Sequence, residues 1–400
     1  MNRAKLDKFF VLFSLYIAQS VPMSFFSTVV PVIMRQEHYS LQSIGLLQLI
    51  KLPWILKFLW APLIDRNAGG DLKQYRKWII GSELFYAIVI IAIGVLNLQF
   101  DFKLIIILMV IAFVASATQD IATDAYAILI MKKEERSFGN SMQSSGSFIG
   151  ALAGSGLLLI VYHYFGWTML LHCLALFALI ALIPLILYKK REPVVEKAGS
   201  VIKMKDLYLF FAAPGMVKRV FLLVFYYSGI IGILAMLKPY LVDLGYSIKE
   251  IGFMSGIVGT SVAALSSFLA AFLINKLGRQ NSLIGFSFIS IVATIYLWMI
   301  SLGTPNTPMI YLGIILIWGT YGLLTVAIYT TSMDHVRPGR EGTDFTLQIV
   351  ITHLSSLIIA VMSGKLADSI SYSGLFLVEA TLSVATFISL FFLYRKKSLS

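Results

Sequence analysis

Ala61-Pro62-Leu63-Ile64-Asp65-Arg66 recurs 210 residues later as Ala271-Phe272-Leu273-Ile274-Asn275-Lys276. Each hexapeptide closes an apolar run with a polar residue followed by a basic one. The two runs also open alike: Ser40-Leu41-Gln42-Ser43-Ile44-Gly45 stands against Ser247-Ile248-Lys249-Glu250-Ile251-Gly252, an offset of 207. A third match, Ser141-Met142-Gln143 against Thr346-Leu347-Gln348, keeps the chain order at an offset of 205. Short matches in order at a nearly constant offset mark one internal duplication.

The solvent of this duplicated chain is lipid. Of 400 residues, 58% are hydrophobic and 13% charged, against about 25% charged in a typical soluble domain. A mean hydropathy of +0.84 leaves too few polar residues to cover a soluble surface. Apolar runs of about 20 residues read as membrane spans. They fall near 9–34, 40–64, 78–96, 104–128, 141–161 and 167–188, and again near 219–241, 248–274, 282–301, 309–333, 345–364 and 373–394. The first run exceeds a signal-peptide core and has no small-residue cleavage pattern, so it is expected to stay as a span. Cys173 is the single cysteine, which excludes an intramolecular disulfide and a cysteine-rich metal or redox site.

A net charge of +12 invites a nucleic-acid reading until the basic residues are placed. With a cytoplasmic N-terminus, 25 of the 32 fall on the inner side and four (Arg35, Lys103, Lys249, Lys365) on the outer. Lys51, Lys57 and Lys238 remain inside spans. That asymmetry is the positive-inside signal, so both termini are expected in the cytoplasm and nucleic acid is excluded as a partner. Residues 1–190 and 219–400 become two six-helix halves, and 191–218 a cytoplasmic linker. Its Leu207, Leu209, Phe210 and Phe211 suit a membrane surface.

Parallel six-helix repeats resemble the major facilitator architecture, whose substrate site lies at the midplane. Asp65-Arg66 with Arg76-Lys77, echoed by Lys276-Leu277-Gly278-Arg279, resembles that superfamily's cytoplasmic loop motif. The resemblance implies an all-α membrane fold of about twelve helices, with Asp65 and Arg66 as gate residues and Asp65 meeting a helix N-terminus. One branch is closer. Leu15-Tyr16-Ile17-Ala18-Gln19-Ser20-Val21-Pro22 resembles the opening helix of AmpG-type muropeptide permeases. Ile44-Gly45 through Leu52-Pro53-Trp54 and Lys57-Phe58-Leu59-Trp60 to Asp65-Arg66 resembles the same group's second helix, and Thr118-Gln119-Asp120-Ile121-Ala122-Thr123-Asp124-Ala125-Tyr126, Glu135-Arg136 and Gly139-Asn140 resemble its later segments. That group also includes siderophore importers of the RhtX/FptX kind and acetyl-coenzyme A transporters. The chain has no room for the two extra helices many muropeptide permeases carry, which tilts the expectation toward the shorter siderophore importers. Ser20 stands where the group usually has glycine. The resemblance implies a proton-coupled importer of an organic solute in a bacterial inner membrane, working as a monomer without a cofactor.

A charge inside a span costs about 2.5–3.5 kcal/mol at a helix centre and marks function by default. Lys51, with Gln48 three residues back, either binds an anionic solute or pairs with a carboxylate. Lys57 is expected to snorkel, and Lys238 is either a vestibule charge or an interfacial anchor. Ser116, Gln119, Asp120, Thr123 and Asp124 share one helix face. Gln19, Gln48, Lys51, Gln119, Lys238 and His353 form the substrate-binding set, although a lone histidine is more often packed than liganding. Asp120, the deeper acid, and Glu379 are proton-coupling candidates. Asp124 and Arg136 join Asp65 and Arg66 at the gate, with simple pairing to Lys51 or loop arginines the alternative for both aspartates. Gly146, Gly150 and Gly154 are expected to pack against a helix of the opposite half. No HExxH, GxSxG, GxGxxG or P-loop is present, so neither an ATP-driven pump nor an enzyme of those classes is expected. A transporter-like sensor and an unfamiliar intramembrane enzyme stay open.

Overall fold

The computed structural model describes residues 3–36, 50–97, 100–188 and 203–395, and among them it holds helices and turns but no strand. In the first half these are α1 (Arg3–Ser24), α2 (Val30–Gln36), α3 (Leu52–Leu56), α4 (Ala61–Ala68), α5 (Leu72–Gly94), α6 (Phe102–Ile130), α7 (Arg136–Leu152), α8 (Leu158–Ala181) and α9 (Ile183–Leu187). The rest are α10 (Lys205–Phe211), α11 (Met216–Phe225), α12 (Ser228–Asp243), α13 (Ile248–Ile251), α14 (Thr260–Leu277), α15 (Arg279–Ser301), α16 (Thr307–Asp334) and α17 (Glu341–Arg395).

Several helices run past the apolar runs, because length is set by capping as well as hydropathy. At the start of α5, the Asp71 carboxylate accepts the Lys73 amide at 2.9 Å, an N-cap that begins the helix six residues before its apolar run. Pro53, Pro62 and Pro184 open α3, α4 and α9 at a position where a missing N–H costs nothing.

Nine segments among the described residues are long and apolar enough to cross a membrane. Two of them, Lys133–Leu187 and Glu341–Leu393, hold 55 and 53 residues. A straight helix of that length would reach roughly 80 Å, over twice a hydrocarbon core. Each is broken instead, the first at Gly166 (φ 73°) and the second at Ile370 and Ser371 (φ 66°). The large apolar side chains left outside, among them Phe85, Ile88, Leu265, Phe272 and Phe392, are what a lipid-facing surface requires and a soluble one avoids.

Packing divides the chain into two compact units. The first comprises Met1–Glu135, Gly146–Tyr208 and His335–Leu347; the second comprises Arg136–Ser145, Leu209–Asp334 and Gln348–Ser400. Each takes a short segment from the other half of the sequence. In the first unit, one core gathers Phe25, Phe26, Tyr86, Phe113 and Leu171, and another Leu15, Ile64, Tyr75 and Tyr126. The second unit is built around Tyr226, Phe286, Ile317 and Phe376.

The glycine row Gly146, Gly150 and Gly154, which runs from α7 into the π-helical turn Ala153–Leu157, packs within its own half, contrary to the expectation of an opposite-half partner. A Cβ on Gly146 would lie 3.2 Å from the Phe13 carbonyl, one on Gly150 2.7 Å from Ser20 Cβ, and one on Gly154 2.9 Å from Ser24 Cβ and against the Val21 carbonyl. Backbone contact with α1 therefore needs hydrogen at Gly150 and Gly154 and is tight at Gly146. Ser24 Oγ crosses the same seam to the Ala151 carbonyl at 2.7 Å. Gly154→Val is expected to cost about 1–3 kcal/mol by overpacking. Gly156→Ala, where an added Cβ meets nothing within 4 Å, should leave thermal unfolding in detergent unchanged, and equal loss in both variants would contradict this seam.

Candidate functional site

The polar face of α6 is buried throughout: Ser116, Gln119, Asp120, Thr123 and Asp124 are all shielded from solvent and lipid. Buried polar groups need partners, and α1 and the turn after α3 supply them for Gln119, Asp120 and Asp124, whereas Thr123 Oγ1 has none among the described residues. Tyr16 Oη donates to Asp124 Oδ1 at 2.7 Å, and Gln19 Nε2 to Gln119 Oε1 at 2.6 Å. Lys57 Nζ pairs with Asp120 Oδ2. These bonds join Tyr16 and Gln19, Lys57, and Gln119, Asp120 and Asp124, which lie far apart in the sequence.

Lys57 does not snorkel. It is 1% exposed, sits in the tight turn Lys57–Leu59 after α3, and its ammonium stands 4.9 Å from the centre of the Trp54 ring. The turn redirects the side chain from lipid to α6, where an aromatic face and a carboxylate replace water. Trp60 Nε1 holds the neighbouring turn to Thr118 Oγ1 at 3.1 Å. The amide of Gln119 is left over, since its buried Nε2 has no acceptor among the described residues.

Gln48 lies outside the described residues. Lys51 is half-buried at the start of α3; six residues later, Lys57 is the lysine that reaches Asp120. Lys238 and His353 are exposed on the second unit. Sequence reasoning passed over Glu83, a buried carboxylate on α5 with no hydrogen bond or ion pair among the described residues. The cost argument that singled out Glu379 applies equally to it.

A second polar cluster in the first unit gathers around Asp65. Asp65, fully buried, accepts the Gly342 amide at 3.1 Å, the Thr343 amide at 2.6 Å and the Tyr75 hydroxyl at 2.7 Å. The two amides belong to the first turn of α17, where backbone donors have no intrahelical acceptor and the helix dipole favours an anion. A Cβ on Gly342 would stand 2.6 Å from Asp65 Oδ1. The loop before α17 holds the linker as well. Arg340 Nε donates to Asp206 Oδ1 at 2.7 Å, and Arg337 donates to Asp344 at 2.6 Å and to the Asp206 carbonyl at 3.0 Å. Burial pushes the Asp206 carboxyl up, but the Lys203 amide and the Arg340 and Arg337 guanidinium groups outweigh it and hold it below the usual carboxylate range. Within α10, Phe210 is buried, whereas Tyr208, Leu209 and Phe211 are exposed.

Arg66 is exposed and has no ion-pair partner among the described residues. Arg136 belongs to the second unit, where it binds Asp334 Oδ1 at 2.8 Å and the Met333 carbonyl at 2.9 Å. Arg279 Nε meets the other Asp334 oxygen at 3.0 Å.

The sequence profile of the Major Facilitator Superfamily matches residues 9–360. The chain belongs to that superfamily. It is a multi-pass membrane transporter rather than an enzyme. The anhydromuropeptide permease of Escherichia coli K12 is 21% identical, over 95% of this chain and 78% of its own length. An uncharacterised protein of Haemophilus influenzae is 25% identical, over 93% and 91% of the two chains. Among solved structures, a bacterial homologue of the iron transporter ferroportin in its outward-facing state superposes with a TM-score of 0.74 at 16% identity, covering 97% of this chain and 98% of that one. The human organic anion transporter MFSD10 superposes with a TM-score of 0.75 at 13% identity, covering 98% and 100%. These structural likenesses speak to the fold.

Proposed function

We propose that this chain is a secondary active importer that carries an anionic organic solute together with a proton across a bacterial inner membrane by alternating access. The observation behind the reading is the buried Lys57–Asp120 pair beside the Gln19–Gln119 bond. Removing one member of a buried pair leaves an uncompensated charge. Asp120 therefore releases Lys57 most easily when it takes a proton, and Lys57 leaves Asp120 most easily for another anion. Proton binding and anion binding are linked in that way, and linkage is reciprocal. The spare Gln119 amide offers a donor to a carbonyl or hydroxyl of the same solute.

The likeness to the E. coli permease supports a muropeptide as the solute, since such molecules combine carboxylates with amides and sugar hydroxyls. A ferric siderophore is the second candidate, since it too can present anionic groups to Lys57. The nine apolar segments, two of double length, together with α3 and α4, support twelve spans in two repeats, 1–190 and 219–400, joined by 191–218. The basic residues support cytoplasmic termini. Asp65 and the Arg136–Asp334–Arg279 cluster serve as cytoplasmic gates, with the monomer as the working unit.

Proteoliposomes under an imposed inward proton gradient test this reading. Anhydromuropeptide should accumulate and drain when an ionophore collapses the gradient. Accumulation of a ferric siderophore alone would change the substrate, and uptake that persists undiminished without the gradient would remove the coupling.

A further inference from the structure

Glu379 lies on the second arm of α17 and is 1% exposed. Its carboxyl faces α12 at Gly232, where a Cβ would coincide with it, and a Cβ on Gly229 would likewise coincide with the Ser383 hydroxyl. The two glycines cut a notch in α12 that Glu379 and Ser383 fill. Within the notch, Glu379 Oε1 is 3.2 Å from Ser363 Oγ, while Glu379 Oε2 and Ser383 Oγ are buried without a hydrogen-bond partner.

Burial without a counter-charge, with Oε2 left unpartnered, argues for the neutral acid, and Ser363 offers it an acceptor. A serine hydroxyl has one proton to give and lone pairs to accept with. Ser363 Oγ lies 2.7 Å from the Ile359 carbonyl, an acceptor that can only receive. The single serine proton has two acceptors in reach, that carbonyl and Glu379 Oε1; when it serves the nearer carbonyl, a neutral Glu379 can donate to the serine lone pair. The surrounding charges agree. The titratable groups of the packed elements include Lys238, Tyr240 and Asp243 on α12, His353, Lys365, Asp368 and Tyr372 on α17, Arg279 and Tyr296 on α15, and Tyr311, Tyr321 and Tyr329 on α16. None is within hydrogen-bond distance of Glu379, and Tyr372 is bound to Asp243 at 2.7 Å. An ionised carboxylate here would be buried with no cation beside it, with the Ser363 hydroxyl as its one donor and Oε2 bare.

We infer that Glu379 is a proton-binding site of the second unit, held as the neutral acid in the Gly229–Gly232 notch and donating its proton to Ser363 Oγ. Releasing that proton to water creates an anion that needs hydration, so α12 must withdraw from the notch for the site to empty. Its use in transport rests on the importer reading, in which it adds a second acid to Asp120; the protonated state itself does not.

Infrared difference spectra of the full chain in lipid vesicles at neutral pH, wild type minus Glu379→Gln, test the site without any solute. The expected result is a carboxylic-acid carbonyl band that moves to higher frequency in Ser363→Ala, where the acceptor is gone. A difference spectrum with carboxylate bands alone overturns the proposal. If Glu379→Gln does not fold, wild type against Ser363→Ala carries the test, and an acid band that fails to move overturns it. Failure of the importer reading looks different: no uptake of either solute, with the acid band still present.

Discussion

Lys57→Ala is expected to abolish concentrative uptake and to lower stability by about 3–5 kcal/mol, the cost of leaving one buried charge unpaired. The variant strands Asp120, 4% exposed, on a helix face with no water to solvate it. Replacing both partners together, Lys57→Met with Asp120→Leu, removes the charge problem along with the pair and should restore most of the thermal stability while leaving uptake at zero. Asp120→Asn is the informative third case. An amide cannot take up and release a proton, so binding and exchange of solute should survive while accumulation against a gradient is lost. Thermal unfolding of purified protein and vesicle uptake separate these outcomes. A Lys57→Ala variant that unfolds at the wild-type temperature, or Asp120→Asn vesicles that concentrate solute at the wild-type level, would remove the pair from the mechanism.

The α6 half of this site is legible in the sequence, and the rest is not, for a definite reason. A helix has a known period, so Ser116, Gln119, Asp120, Thr123 and Asp124 must share a face whatever surrounds them. Which residues that face meets depends on the rotation and turn geometry of other helices, and the sequence does not state these. The Lys57–Leu59 turn rotates a lysine that looks ready to snorkel into the protein, whereas Lys51, nearer the middle of the apolar run, stays half-buried. The same limit acts on Gly146, Gly150 and Gly154: spacing announces a close backbone approach, but only packing reveals that α1 is the partner. Asp65 is more legible because its partner is a generic one. An acid at a helix end beside a basic loop calls for a helix N-terminus, and the N-terminus of α17 is there.

Asp65→Ala carries the second large effect. The substitution deletes three hydrogen bonds at once, two of them from first-turn amides that have no other acceptor. Bonds to a charged group contribute about 1.5–3 kcal/mol each, so even a loss of about 2 kcal/mol would shift an open–closed balance roughly 30-fold toward release of the α17 N-terminus. Asp65→Asn keeps one acceptor oxygen and the shape, and should lose less. Tyr75→Phe removes a neutral donor and leaves both amide bonds, so it should lose least. A thiol placed at Thr346, buried on the first turns of α17, reports the release in a Cys173→Ser background. Its labelling by a membrane-impermeant maleimide from the cytoplasmic side should quicken in the order Tyr75→Phe, Asp65→Asn, Asp65→Ala. Gly342→Ala should behave like Asp65→Ala, because its methyl group occupies the space where Asp65 Oδ1 approaches the backbone. A labelling rate that stays at the wild-type value in Asp65→Ala would mean that the N-terminus of α17 is held by something other than this carboxylate, and the gate would have to be sought at the Arg136–Asp334–Arg279 cluster instead.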